Sequence, residues 1–180
     1  MGNKAPQIES KPLIQDAMLK GLLVKSVTHV FESNVGRKAE IDAHLTPRGL
    51  NEALNGLNEE IYSCFILLDR AYPATVCMQI PHALAKIVAM EYLNYEAFEL
   101  DFGDGKSNIE DAVRETTNMI SGTLRNILAQ AGLECSMSPP KLHSSPKVPL
   151  INMSKAIQCV ALRFKLPDAF AFGCLYRMAK

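Results

Sequence analysis

The chain contains 180 residues, of which 48% are hydrophobic, and its 19 Lys and Arg residues balance its 19 Asp and Glu residues. This length and composition predict one globular domain over residues 1–180 and argue against extensive disorder. The neutral charge balance argues against a protein that binds nucleic acid through phosphate contacts, because such proteins need a basic surface.

The first quarter of the chain predicts a tail, a helix and a strand. Residues 1–10 are polar and predict a flexible tail. Apolar side chains recur at helical spacing over residues 11–33, and Asn34 and Gly36 mark the end of this predicted helix. Residues 37–45 then alternate between apolar and polar side chains, which predicts a strand with one face in water.

The middle of the chain predicts a hairpin and a short helix. Residues 51–60 are mostly polar, and we expect them to form an insertion on the surface. Residues 61–68 and 74–80 are apolar runs rich in strand-forming residues, which predict two strands joined by a short turn. Residues 81–93 begin with a proline and predict a short helix, and residues 94–106 predict a loop.

The segment that follows first suggests a phosphate-binding loop. Gly105-Lys106-Ser107 matches the end of that motif, GxxxxGK followed by Ser or Thr, but its first glycine would fall on Leu100. The phosphate-binding loop is therefore excluded. The serine of this tripeptide and Glu110 have the spacing of a capping box, and Gly132 is a stop signal. We therefore predict a long helix over about residues 108–131.

The last third of the chain predicts further strands. Residues 135–138 predict a short strand ended by Pro139-Pro140, and a loop rich in proline and serine follows it. Residues 155–166 and 169–178 predict two longer strands. The order is thus a helix, three strands and a short helix, then a helix and three strands. This order indicates an α+β fold with an antiparallel sheet packed with long helices and a faint duplication of helix–three-strand units.

The predicted long helix has two contrasting faces. At about 100° per residue, one face is apolar and comprises Ile109, Val113, Thr116, Ile120, Leu124 and Ile127. The opposite side carries Asp111, Glu115, Asn118 and Gly122, spaced by four, three and four residues. A solvated surface is the simplest interpretation, but Asn and Gly inside a helix cost up to ~1 kcal/mol each relative to Ala. Glycine also leaves room for another molecule to approach, so the stripe indicates a contact surface as an alternative.

The same stripe carries a resemblance to a known family. Asp111-x3-Glu115-x2-Asn118-x21-Pro140 resembles the signature of the CheC/CheX family of chemotaxis phosphatases, which has Asp or Ser, then Glu, Asn and a distant Pro. The stretches ETTNMISG and MSPPKL are similar to that family's signature helix and to the strand and proline after it. The first predicted helix has no Glu-x-x-Asn. The resemblance is therefore to CheX, which has a single motif.

The resemblance implies a CheC-like fold and a phosphatase that hydrolyses the aspartyl phosphate of a CheY-like response regulator. It implies that Asn118 orients the attacking water and that Glu115 pairs with the receiver's lysine. Asp111 and Gly122 would line the contact, and Pro140 would be structural. The enzyme would need no metal or cofactor of its own, because Mg²⁺ comes with the phosphorylated receiver. CheX-like proteins are typically homodimers, so we expect a homodimer.

Two other functions stay open at this point. A binding module of the same fold could dock a receiver, or another chemotaxis or flagellar partner, with little turnover. An unrelated structural or oligomerisation protein is the third hypothesis. Asn118 separates the first two, because only a phosphatase needs this side chain to accelerate hydrolysis.

The remaining sequence signals concern the cellular compartment. The five cysteines are odd in number and include no Cys-x-x-Cys, which favours reduced core thiols over disulfides or zinc. The N-terminal residues lack the apolar region of a signal peptide. No apolar run approaches the ~18 residues that predict a membrane span. We therefore expect a cytoplasmic protein with no membrane or nucleic-acid partner.

Overall fold

The computed structural model describes residues 14–93, 104–145 and 155–179. The predicted tail over residues 1–10 and most of the predicted loop over residues 94–106 therefore lie outside the described residues. Four helices and seven strands follow one another in the order α1 (Asp16–Asn34), β1 (Glu40–Leu45), α2 (Pro47–Asn55), β2 (Ile61–Arg70), β3 (Ala74–Pro81), α3 (His82–Leu93), α4 (Gly105–Gln130), β4 (Cys135–Met137), β5 (Lys141–Ser145), β6 (Ala156–Lys165) and β7 (Phe170–Met178).

The strands form one antiparallel sheet in the order β1-β6-β7-β3-β2-β4, and β5 also pairs with β2. The two halves of the sheet correspond strand by strand: β1 matches β4 and β5, β2 matches β6, and β3 matches β7. Exchanging the matched strands gives the same strand order read from the other edge. The central pair β3–β7 therefore lies on an approximate two-fold axis of the topology, with Cys77 opposite Cys174. This symmetry confirms the predicted α+β fold and its faint duplication.

Each face of the sheet has its own hydrophobic core. The larger core joins one face to α1, α3 and α4, and the strand residues Tyr62, Cys64 and Leu68 belong to it. The smaller core joins the other face to α2, and Ile61 belongs to it. Neighbouring residues of a strand point to opposite faces, so β2 contributes to both cores. Strand β2 is consequently buried over most of its length, as its apolar run predicts.

The expected polar insertion over residues 51–60 is wrong, because α2 occupies its first half. The Thr46 hydroxyl accepts a hydrogen bond from the Gly49 amide at 3.0 Å, and Pro47 occupies the first turn. These are the ordinary signals of a helix start. Leu50 and Leu54 lie one turn apart and are buried against the second face of the sheet. The helix is short and amphipathic, so its many polar residues face water.

Of the two predicted ends of the long helix, the structure confirms the C-terminal one and corrects the N-terminal one. The predicted capping box is wrong, because α4 begins at Gly105 with Asp104 before it, which places Ser107 inside the first turn. Glu110 pairs with Arg114 and has no capping role. The predicted stop is confirmed, since Gly132 has φ +78° and follows the last helical turn closely. A residue with a Cβ rarely adopts this backbone conformation.

The loop predicted after Pro139-Pro140 is also wrong in part, because residues 141–145 form β5 and pair with β2. The two prolines lie between β4 and β5, where both strands run along β2. Proline has no N–H to donate to the sheet, so the pairing is interrupted there and then resumes. The sheet thus has seven strands where the sequence pattern predicts six.

Candidate functional site

Helix α4 is buried along one side and open along the other. Its buried apolar residues include Ile109, Val113, Ile120 and Leu124, as the periodicity predicts, and Ile127 is partly buried. The helix lies over β2 and β4 and packs against both α1 and α3. Its remaining side is therefore presented to solvent by a well-anchored scaffold.

The structure places the four predicted stripe residues together on the open side of α4. Asp111 is exposed, and Glu115, Asn118 and Gly122 are partly exposed. Because a helix rises 1.5 Å per residue, the stripe extends over about 16 Å. This length suits contact with the surface of another protein.

Glu115 and Asn118 form the centre of the stripe. Neither side chain has a hydrogen bond or an ion pair to any other residue that the structure describes. Both lie in the interior of α4, so the helix fixes where their side chains start and leaves their polar atoms with free bonding capacity. The arrangement offers one carboxylate and one amide, about one turn apart, to a partner.

Asp111, in contrast, is already paired within the helix. The Arg114 guanidinium donates to Asp111 Oδ1 at 2.6 Å and to Glu110 Oε2 at 3.0 Å. Arg114 was not among the site residues predicted from the sequence. The available signal was its spacing of three and four residues from two carboxylates, which is the spacing of side-chain pairs on a helix surface.

Gly122 leaves open space at the C-terminal end of the stripe. A Cβ atom built there meets no atom within 4 Å outside the neighbouring helix backbone. Beside this part of the helix, α1 and α4 border an open groove of about 510 Å³ that is lined by Lys25, Thr28, His29, Glu32, Thr123, Asn126, Ile127 and Gln130. The helix surface at Gly122 therefore leaves room for a side chain of a partner.

Pro140 lies away from the stripe, between β4 and β5 at the edge of the sheet. Strands β4 and β5 both contact α4, and the two prolines separate these strands. Pro140 has no polar side-chain atom to offer to a substrate.

A second Glu-x-x-Asn sequence occurs on α2, at Glu52 and Asn55, and a third occurs at Glu91 and Asn94, of which Asn94 lies outside the described residues. Helix α2 packs on the opposite face of the sheet from α4. Glu52 is engaged there by Arg48, with Nε and Oε1 2.7 Å apart. The structure therefore does not bring this second motif together with the α4 stripe.

Three buried side chains of the sheet and its first hairpin, Cys64, Tyr72 and Cys77, are protonated near neutral pH. Burial raises the pKa of the Cys64 thiol to about 11 and that of Cys77 well above its usual value, so both remain protonated near neutral pH. Burial likewise raises the pKa of Tyr72 to about 12. Within the described parts of the chain, no group of three or more His, Cys, Asp and Glu side chains could hold a metal ion. No helix in those parts combines the length and apolar character that a membrane span needs.

The comparisons with known proteins agree with the fold. The family model described as "Chemotaxis phosphatase CheX" matches residues 62–165. No curated protein sequence matches the chain.

Several solved structures have the same fold. A chemotaxis protein CheX from Desulfovibrio desulfuricans is 18% identical with a TM-score of 0.64, over 88% of this chain and 97% of that one. The CheX–CheY–BeF3–Mg complex from Borrelia burgdorferi is 14% identical with a TM-score of 0.62, over 89% and 97%. FliY from Thermotoga maritima is 13% identical with a TM-score of 0.60, over 93% of each chain.

Proposed function

Since this chain belongs to the CheX family of chemotaxis phosphatases, we propose that it accelerates hydrolysis of the aspartyl phosphate on a CheY-like receiver domain. One observation carries the proposal: Glu115 and Asn118 lie one turn apart on the open side of α4, and neither has a hydrogen bond or an ion pair to any other described residue. An acid and an amide at this spacing suit a partner that already holds the phosphoryl group and its metal ion.

The proposed reaction needs little chemistry from this chain. A phosphorylated receiver brings the aspartyl phosphate, a Mg²⁺ ion and a lysine, so the missing component is an attacking water in line with the phosphorus–oxygen bond. Asn118 would enter the receiver's site, where its amide oxygen accepts a hydrogen bond from this water. Its NH2 group would face the phosphoryl oxygens. Holding the water in this geometry lowers the entropic part of the barrier.

Glu115 would fix the docking geometry by pairing with the receiver's lysine. The carboxylate is one turn before Asn118 on the same side of α4, so one docked pose serves both residues. Asp111 and Gly122 would line the contact at the two ends of the stripe. In support of this arrangement, a related CheX from Borrelia burgdorferi forms a complex with CheY, BeF3 and Mg.

We also propose that the protein acts in the cytoplasm as a two-fold homodimer. Strand β1 forms one edge of the described sheet, and β4 and β5 form the other. Unpaired sheet edges favour association with another strand or another copy, and closed two-fold pairs are the commonest assemblies. The family resemblance supports the same assembly.

A phosphate-release assay with a panel of phosphorylated receiver domains tests the proposed function. We expect the protein to accelerate phosphate release from at least one receiver, in proportion to the complex formed. A protein that binds the phosphorylated receiver without accelerating release would instead be an adaptor of the same fold.

A further inference from the structure

The stripe on α4 contains two carboxylates, and the receiver's lysine could form an ion pair with either of them. Asp111 and Glu115 are four residues apart, so they lie on the same side of the helix and about 6 Å apart along its axis. If the receiver's lysine paired with Asp111, the whole contact would shift by about one turn. Asn118 would then lie several ångströms from the water that it has to orient.

The two carboxylates differ in their contact with the Arg114 side chain. Its guanidinium binds Asp111 on one side and Glu110 on the other, at 2.6 and 3.0 Å. The Arg114 side chain is only 35% exposed, whereas Asp111 is 64% exposed. Glu115 has no such partner among the residues that the structure describes.

We propose that Arg114 sets the docking register, by occupying Asp111 so that Glu115 is the one unpaired carboxylate of the stripe that is available to the partner's lysine. This inference rests on the proposed function. Arg114 is thereby a positioning residue, because it contacts Asp111 and Glu110 and acts on the reaction through the pose of Asn118.

Two electrostatic effects act together in this arrangement. The Arg114 guanidinium donates a hydrogen bond to Asp111 Oδ1, which leaves this carboxylate less able to accept from a lysine. The same cation also repels a lysine ammonium that approaches Asp111. Glu110 holds the guanidinium from its other side, which keeps it near the helix surface when a partner docks. Each contact is modest because it is partly exposed, so we expect an effect of a few-fold to tenfold rather than a complete loss.

The decisive variant is Arg114→Met, which retains an unbranched side chain and a good helix former but frees Asp111. With a phosphorylated receiver at saturating concentration, we expect single-turnover hydrolysis to fall by about three- to tenfold. We expect binding of the receiver to be retained, because the misaligned complex still contains an ion pair. Arg114→Lys keeps the charge and should recover part of the rate.

The double variant Arg114→Met with Asp111→Asn distinguishes register from direct contact. Removing the competing carboxylate should restore most of the saturated rate that Arg114→Met loses, although affinity can change. Arg48→Met is the matched control, because Arg48 forms the corresponding i,i+4 ion pair with Glu52 on α2, which packs on the opposite face of the sheet from α4. This control should hydrolyse at the wild-type rate.

Several outcomes would overturn the inference. Wild-type hydrolysis by Arg114→Met, or a double variant as slow as the single one, would show that Arg114 does not set the register. An equal loss in Arg48→Met would indicate a general effect of positive charge. If Asn118→Ala hydrolyses at the wild-type rate, the proposed function fails and this inference falls with it. If Asn118→Ala is slow and Arg114→Met is not, the register inference alone fails.

Discussion

The replacement of Asn118 by alanine separates the proposed chemistry from the stability of the fold. Asn118 is partly exposed, lies in the interior of α4, and has no hydrogen bond to any other described residue. Alanine removes the amide and leaves the helix backbone unchanged. The substitution therefore removes a functional group without opening a cavity.

The expected change in stability follows from helix propensity. Alanine is a better helix former than asparagine by about 0.5 kcal/mol. A domain of this size changes its melting temperature by about 2–4 °C per kcal/mol. We therefore expect Asn118→Ala to melt about 1–2 °C higher than the wild type, and in any case no lower. A clear decrease in melting temperature would show that Asn118 contributes to the folded structure.

The expected change in activity is much larger. Loss of an oriented water should slow single-turnover hydrolysis by about 100-fold. A neutral hydrogen bond contributes about 1 kcal/mol to binding, so the dissociation constant should rise by less than about tenfold. Affinity and hydrolysis are to be measured separately with the same phosphorylated receiver. Undiminished hydrolysis by Asn118→Ala would refute the proposed mechanism, and the adaptor hypothesis would then lead.

The remaining predictions concern docking and assembly. Glu115→Ala should weaken binding of the phosphorylated receiver about tenfold or more, because an ion pair is lost. The melting temperature should stay unchanged. If a titration gives the wild-type affinity, Glu115 is not part of the docking contact. Gly122→Leu should raise the free energy of unfolding by about 0.5–1 kcal/mol, because the space around Gly122 is open and leucine is the better helix former. The leucine side chain should also block docking of the receiver and so prevent accelerated phosphate release. Full activity of Gly122→Leu would show that the receiver does not contact the stripe at Gly122. Light scattering should give twice the monomer mass at micromolar concentration, and a monomer mass up to millimolar concentration would exclude the homodimer.

The stripe on α4 could be predicted from the sequence because helical periodicity is a local property. The positions of Asp111, Glu115, Asn118 and Gly122 follow once the segment is known to be helical, whatever it packs against. The strands β2, β3, β6 and β7 were predictable for a similar reason, since each is a long run of strand-forming residues between clear turns. The resemblance to the CheC/CheX family rests on the same local residues.

Helix α2 and strand β5 were missed because their stability depends on distant residues. The start of α2 at Thr46 and Pro47 was visible in the sequence, but Leu50 and Leu54 are too few to indicate a helix without the sheet face that buries them. Strand β5 is short, follows two prolines, and is extended because β2 offers it hydrogen-bonding partners. The start of α4 was misplaced because Asp104 and Ser107 are both acceptable residues near a helix start.

The sequence by itself determined which side chains share one side of α4, and so it determined the candidate chemistry. The tertiary structure decided which side of that helix stays open, because the packing of α1, α3 and the sheet cannot be inferred from the helix alone. It also showed that Asp111 is engaged by Arg114 while Glu115 is not. The physical reason is that periodicity acts over a few residues, whereas burial and the pairing of charges depend on where the rest of the chain and its side chains come to lie.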